Sequence, residues 1–583
     1  MHGWTGRILK INLTEKRFET ISLPQDIYRR FLGGKGLAGY FLARRAYLEW
    51  NAPQMPILLM TGPLAGTGAP ASGNTVIASR SPLTGTVSDS SVGGALGAKL
   101  KSAGVDGIVV EGMSDAWLGI EIHNQTVRFV SASSLCGQPL SRIADQLETK
   151  GAFAAVGNAA ENGVRFAAVM IDRHFSTARG GLGGCFAAKR LKYITVEGTG
   201  HVSVADNTVC KTAREDIRRL TAASSILMGE HGFFNLGTSA LYDLVYSRRM
   251  MPTANFRRTV FDSAPLLNAN AVRRTYGMQR FGCEGCLVQC LKNSENGMQL
   301  PDFDTLAHFT ALIENRDLHT AVEAATACSE QGIDTVSAAA TLACYAEIKN
   351  ESLTTDRILG LLEDLGAGRG EGEILAKGSF RAARELGRPE CAMTVKRLEL
   401  PAFDPRGAYG MALAYATSTR GGCYANATAL SHEILRKPVA TDRFSFSAKA
   451  RIIKIAEDQN AAVDSLVACK YLFFAASLEE YARVLSGVTG ELFTATELSR
   501  IGERIVYIER ITNMHFGVLG EDDTLPNRFF TEDGSSGPGF AIPRINRREF
   551  DDALSRYRRV RELLEDGTPK KEKAERLEIE WNN

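Results

Sequence analysis

The chain is 583 residues long, with a formal net charge of +2, 44% hydrophobic residues and 23% charged residues. That length predicts several domains, and the composition is that of a soluble globular protein rather than a fibrous, disordered or membrane-spanning one. The near-neutral balance gives no electrostatic pull toward nucleic acid or acidic membranes, and no basic patch with interleaved aromatics supplies one.

The opening MHGWTGRILKINLTEKR lacks the apolar core of a signal peptide, so a cytoplasmic location is expected. Eleven cysteines are an odd number for a disulfide framework. The scattered ones, such as Cys136, Cys210, Cys344 and Cys391, read as small buried hydrophobes.

Residues 1–204 are rich in glycine and in short β-like runs such as ILLM, GIVVEG and YITVEG. Within them GGALGAKLKSAGVDGIVVEG (93–112) is echoed by GGLGGCFAAKRLKYITVEG (180–198). Each unit has a Gly-Gly opening, a lysine-bearing helical stretch and a strand ending in Val-Glu-Gly, which predicts a duplicated half-domain. Glycine turns at helix starts suit anions, and the same pattern also serves close helix–strand packing. FLGGKGLAG (31–39) is not a dinucleotide fingerprint, because no strand precedes it and no acid follows at the ribose position.

From residue 205 the pattern turns helical, giving a second region, 205–394. AVEAATACSEQGIDTVSAAATLACYAEIKN (321–350) carries helical spacing on both sides of a Gln-Gly break. A proline-bearing stretch, 386–407, leads into a third, mainly helical region, 395–583. Its tail, RRVRELLEDGTPKKEKAERLEIEWNN, reads as a solvated helix with a frayed end.

FGCEGCLVQC places Cys283, Cys286 and Cys290 within one short stretch. Zinc sites gather ligands as two close pairs, and no second CxxC or HxxxH exists here. A Cys-x2-Cys-x3-Cys run with one distant thiol suits an iron–sulfur cluster. Cys423 and Cys469 are both candidates for the fourth thiol, and spacing does not choose between them.

GRILKINLTEKR, FLGGKGLAGYFL, TGPLAGTGAP, SRSPLTG, LKSAGVDGIVVEG, ARGGLGG, CEGCLVQC, GIDTVS, VKRLELPAFDPRGAYGMALAYATSTRGG and DDTLPNRFF follow one another along the chain. In this ordered set the sequence resembles the tungsten-containing aldehyde:ferredoxin oxidoreductases nearly end to end. The resemblance implies an α+β fold: a β-rich first domain cradling two pterins, then two mainly helical domains. It implies a tungsten (or molybdenum) bis-pterin, Mg2+ bridging the pterin phosphates, and a [4Fe–4S] cluster. It makes Cys469, closing an Asp464–Cys469 motif, the fourth ligand beside Cys283, Cys286 and Cys290. Gly93, Arg179, Asp334, Arg420 and Asp464 match the family's pterin contacts. The implied reaction oxidises a carbonyl substrate and passes electrons to a ferredoxin-like carrier or partner subunit; a homo-oligomer is compatible with it.

The resemblance also frays. Asn74 and Phe175 stand where relatives carry arginines, and Ser329 replaces an acid. Where relatives keep a Glu and a His as acid–base pair, this chain has Asp304 (beside Asp302) and Tyr424, and Asn426 replaces a basic residue. A carboxylate that accepts and a phenol that donates still form a workable pair. The competing expectation is a non-catalytic member that keeps the cluster for electron transfer or assembly without a metal-bearing pterin.

Overall fold

The computed structural model describes residues 1–177, 179–537 and 540–581. The first sheet contains β1 (Arg7–Asn12), β2 (Arg17–Ser22), β3 (Ile57–Met60), β4 (Thr75–Arg80), β5 (Val87–Val92) and β6 (Gly107–Glu111), in the order β2-β1-β6-β3-β4-β5. The second contains β7 (Leu118–His123), β8 (Thr126–Ser131), β9 (Ala152–Val156), β10 (Val169–Ile171), β11 (Phe175–Ser176) and β12 (Leu191–Glu197). Its order read from the β8 edge is β8-β7-β12-β9-β10-β11, the first sheet over again. Among the described residues each of these sheets has one parallel strand pair, β1 with β6 and β7 with β12, and the two pairs occupy equivalent positions. The predicted duplication is therefore the architecture of the β-rich region.

Local sequence explains the strands. β3 and β9 are buried at every position, so they read as continuous apolar runs rather than alternations. The β7–β8 hairpin turns at Asn124, whose φ of 54° is one that asparagine tolerates. Before each central strand stands the helix of the repeat, Leu96–Ser102 before β6 and Leu182–Ala188 before β12. The segment at 31–39 is preceded by a helix, Gln25–Phe31, and itself forms Gly34–Ala43, so it has no strand to begin a dinucleotide fold.

The remainder is mostly helical. Leu318–Gln331 ends at Gly332, left-handed at φ 74°, and Asp334 then caps Thr335–Lys349 by accepting the Ser337 N–H. Two long helices, Lys449–Leu466 and Ala495–His515, pack along one another and against Gly34–Ala43. Among the described residues no helix is long and apolar enough to cross a membrane.

The tail corrects one expectation. Its described part, 558–581, is docked rather than solvated, while residues 582–583 lie outside the described residues. It follows the buried stripe Phe550, Ala553, Leu554 and Tyr557 of the helix Arg547–Val560, and Leu563, Ala574, Leu577 and Ile579 are themselves buried. Arg561 is fully buried and bridges Asp458 and Glu457, both at 2.5 Å. A buried guanidinium persists only with such partners.

Candidate functional site

The strand pair Gln279–Phe281 and Leu291–Asn293 closes the loop that carries the three clustered cysteines. Gly285, at φ 68°, lets the chain reverse between Cys283 and Cys286, and the Cys286 N–H donates to the Cys283 carbonyl at 3.0 Å. Cys469 arrives from elsewhere. The helix Lys449–Leu466 stops at left-handed Val467, and the Cys469 N–H is then fixed on the Ala71 carbonyl at 2.8 Å. Burial raises the Cys469 thiol well above its ordinary range, and the neighbouring Cys290, Cys286 and Cys283 raise it further. Burial likewise pushes Cys290 up to about 12, with Cys286 and Cys283 adding to it. The structure thus brings Cys469 up to the other three thiols. Cys423 lies apart from them, between two guanidiniums. Its burial raises the thiol, but Arg420 and Arg179 outweigh that and hold it below the ordinary range. Among the described residues no three His, Cys, Asp or Glu side chains are gathered as ligands of a single metal ion.

Asp304 and Tyr424 come from segments far apart in sequence, and the structure joins them. Asp302 caps the helix Phe303–Ala307 through the Thr305 N–H at 2.8 Å. This frees Asp304, within the first turn, to face inward. Its Oδ1 accepts the Ala402 N–H at 2.9 Å and its Oδ2 accepts the Tyr424 hydroxyl at 2.6 Å. Burial raises the Asp304 carboxyl above the usual range although Tyr424, Ala402 and Arg179 pull it down. Burial, then the Asp304 charge, holds the Tyr424 phenol well above its ordinary value, so the phenol keeps its proton and donates. Phe403 lies edge-on to Tyr424 at 5.2 Å and tilted to Phe303 at 5.0 Å, making the surroundings apolar.

Two residues near this pair went unnoticed in the sequence. His308 opens a π-helical turn and sits between the carbonyls of Asp304, at 2.8 Å, and Leu400, at 3.2 Å; burial pushes its pKa down to about 4. Its spacing four residues after Asp304 was the available signal. Tyr471, in the turn after Cys469, is the other: burial holds its phenol well above the ordinary value, and Cys290, Cys469, Asp302 and Asp304 all add to the rise.

The predicted cofactor contacts surround the same region. A Cβ on Gly93 would stand 2.4 Å from the Cys283 sulfur and 2.8 Å from the Phe175 ring. Arg179 is buried and donates to the carbonyls of Glu399 and, at 2.6 Å, Gly422. Arg420 donates to the Arg179 carbonyl at 3.3 Å and stands 3.7 Å from Asp89. Asp334 is pushed up to about 6 by burial, with Arg179 opposing the rise. Asp464 pairs with Lys470 through Oδ2 at 2.6 Å, while its Oδ1 is buried without a partner. Asn426 Oδ1 is likewise unpartnered, and both residues line a cavity of about 10 Å3 with Lys35, Thr419, Asn460 and Glu509. The three departures from the family pattern are engaged locally. Asn74 donates to Ser91 at 3.0 Å, Phe175 packs 6.0 Å from Phe281, and the Ser329 hydroxyl bonds Ala325 in its own helix at 3.0 Å.

Comparison with known proteins gives the class and then the family. The fold is that of a solved structure described as the active site complex BamBC of benzoyl coenzyme A reductase in complex with 1,5 dienoyl-CoA. The two agree at a TM-score of 0.85 and 20% identity, over 99% of this chain and 97% of that one. The descriptions "Aldehyde ferredoxin oxidoreductase, N-terminal domain" and "domains 2 & 3" match residues 8–198 and 212–579. The chain is 32% identical to a tungsten-containing aldehyde ferredoxin oxidoreductase of Pyrococcus furiosus, over 99% of each. It is 27% identical to an aliphatic sulfonate oxidoreductase, WOR-like subunit, of the same organism, over 99% of this chain and 97% of the relative. This chain belongs to the aldehyde ferredoxin oxidoreductase family, and it is an oxidoreductase of that type.

Proposed function

We propose that this protein oxidises an aldehyde or related carbonyl compound, using a tungsten (or molybdenum) bis-pterin, and passes the electrons through a [4Fe–4S] cluster to a ferredoxin-like acceptor. The observation that carries the reading is the convergence of Cys283, Cys286 and Cys290 with the remote Cys469 beside Gly93. An all-thiolate donor set suits iron–sulfur ligation. The donor set on the pterin side is consistent with this reading: Asp464 Oδ1 and Asn426 Oδ1 are buried acceptors without partners that would take N–H donors, and Arg179 and Arg420 would supply positive charge. A Mg2+ ion that would offset pterin phosphate charge belongs to the same reading.

The bound metal–pterin supplies the two-electron redox chemistry, and the protein's part is position and protons. Tyr424 Oη holds its proton on Asp304 Oδ2 in the resting site. A carbonyl oxygen entering beside the ring can take that hydrogen bond, which leaves Asp304 Oδ2 free to accept a proton from the attacking water. Conversion of an aldehyde and water to a carboxylic acid releases two protons and two electrons, so a proton acceptor at this place is required. The aromatic wall of Phe303 and Phe403 keeps bulk water away from the pair.

Anaerobically purified protein is expected to contain about four irons and four sulfides per chain, as four thiolate ligands require, together with tungsten or molybdenum and pterin. It should reduce a ferredoxin when given an aldehyde. Iron-free protein from anaerobic cells overturns the cluster, and metal-free, pterin-free protein overturns the reaction.

A further inference from the structure

Asp172 sits in the turn between β10 and β11 with a φ of 44°, a left-handed backbone uncommon outside glycine and tolerated by aspartate. Its carboxylate joins two distant strands of chain. Oδ1 accepts the Phe153 N–H at 2.8 Å, and Oδ2 accepts the Ala95 N–H at 2.6 Å. Ala95 follows the Gly93–Gly94 opening of the first glycine unit, so the carboxylate grips that turn directly. A Cβ on Gly94, whose φ is 120°, would stand 2.6 Å from Asp172 Oδ2. On the opposite side of the turn lies the Cys283 sulfur, 2.4 Å from where a Gly93 Cβ would be. The Gly94 N–H is the backbone donor next to that sulfur, and its influence opposes the rise that burial imposes on the thiol. The Phe175 ring closes the flank at 2.8 Å from the same Gly93 position.

The second unit lacks this arrangement. A Cβ on Gly180 would meet Ser88 Oγ at 2.4 Å, and one on Gly181 the Arg165 carbonyl at 1.9 Å, with no thiol among the nearest atoms at either position. The clamp is therefore particular to the unit that abuts the clustered cysteines and is not a general feature of the repeat.

We propose that the Gly93–Gly94 turn serves the cluster: the Gly94 N–H donates to the Cys283 thiolate, and Asp172 is the positioning residue that holds this amide on the sulfur. The proposal rests on the reading of Cys283 as a cluster ligand. Hydrogen bonds to cluster sulfurs stabilise the more negative, reduced state and raise the reduction potential. The role of Asp172 is thus to ease electron transfer onto the cluster from the pterin side. If Asp172 merely caps the seven-residue helix Leu96–Ser102, it affects stability alone.

Wild-type, Asp172→Ala and Asp172→Asn holoenzymes decide the matter through iron and sulfide content, EPR-monitored redox titration, and resonance Raman spectra in H2O and D2O. In the wild type, deuteration is expected to shift the Fe–S stretching bands through the exchangeable amide. Asp172→Ala should keep its iron, lower the midpoint potential and lose most of the isotope shift. Asp172→Asn, which retains an acceptor oxygen for Ala95, should lie between. An Ala variant with a full cluster, unchanged potential and unchanged isotope shift overturns the proposal, whatever happens to its thermal stability. If that variant does not fold, a wild-type cluster insensitive to deuteration overturns it equally. Iron-free wild type overturns this inference along with the cluster itself, whereas an iron-replete wild type that fails the spectroscopic test overturns the inference alone.

Discussion

The two glycine units share a backbone plan and almost nothing else. Each leads through a short helix to the strand at the centre of its sheet, β6 or β12. In each a buried lysine faces the protein. Lys101 is buried against Asp106 and the Gly3 carbonyl, and Lys189 against the carbonyls of Pro53, at 2.8 Å, and Gly112, at 3.1 Å. The divergence lies at the Gly-Gly openings. The first has a thiol on one side and a carboxylate on the other. The second lies next to Arg179, which with Arg420 brings buried positive charge to that end. Duplication copies a scaffold whose geometry is set by strand pairing. The chemistry at each copy comes from whatever the rest of the chain lays against it.

The largest expected effect separates the two units by iron content. Gly93→Ala places a methyl 2.4 Å from the Cys283 sulfur, so most of the cluster iron should be lost. Gly181→Ala strains a backbone at φ 78° and drives a methyl to 1.9 Å from the Arg165 carbonyl. That variant should lose at least about 1–2 kcal/mol of stability, the left-handed penalty alone, while any folded fraction keeps its iron. Equal iron loss in both would remove the distinction between the units. Cys469→Ser should also lose or alter the cluster and Cys423→Ser should not, because only Cys469 lies with the other thiols.

Next in size is Asp304→Asn. It preserves the shape of the pair with Tyr424 but removes the carboxylate that accepts the proton. Turnover should fall roughly 10²-fold or more, the usual reach of general acid–base catalysis, with metal, pterin and iron unchanged. Full activity in the Asn variant makes Asp304 a structural residue. Arg179→Ala should act on the second unit alone, lowering pterin content while iron stays near wild type. A variant with normal pterin would leave these glycines as packing elements only.

Much of this was legible because it depends on local pattern. The repeat was visible because paired central strands need apolar runs and their helices need glycine turns. The Gln-Gly break fell where a left-handed cap was required. Other features depend on partners remote in sequence. Asp172 sits in an unremarked IDRHF stretch, and its amide partners are at 95 and 153. The tail reads as solvated although it docks, because its many charges hide the few apolar positions that are buried, Leu563, Ala574, Leu577 and Ile579. Nothing near Arg561 in the sequence announces Glu457 and Asp458, the carboxylates that make its burial tolerable.

The smallest effect is a pH dependence on the second unit's side. Asp334 is buried against the β-rich region, where its N–H meets the Phe166 carbonyl at 3.3 Å, and burial pushes its carboxyl up to about 6 despite Arg179. In the unfolded chain an aspartate titrates near 3.9, so between about pH 4 and 6 the folded protein holds a proton that the unfolded chain has released. The sign follows. Ionising this group costs stability, the full cost is present above about pH 6, and it is relieved as the pH falls toward about 4. Two pKa units set its upper size at about 3 kcal/mol. Asp334→Asn keeps an acceptor for the Ser337 N–H but cannot titrate. Loss of the attraction to Arg179 lowers the variant by an amount that is fixed above pH 6, where Asp334 is ionised in the wild type. In cofactor-free protein, wild type should therefore gain thermal stability relative to the variant as the pH is lowered from 7 to 4.5. Parallel melting-temperature curves across that range would show that Asp334 does not titrate there, and would remove the one predicted titration that distinguishes the surroundings of the second unit from those of the first.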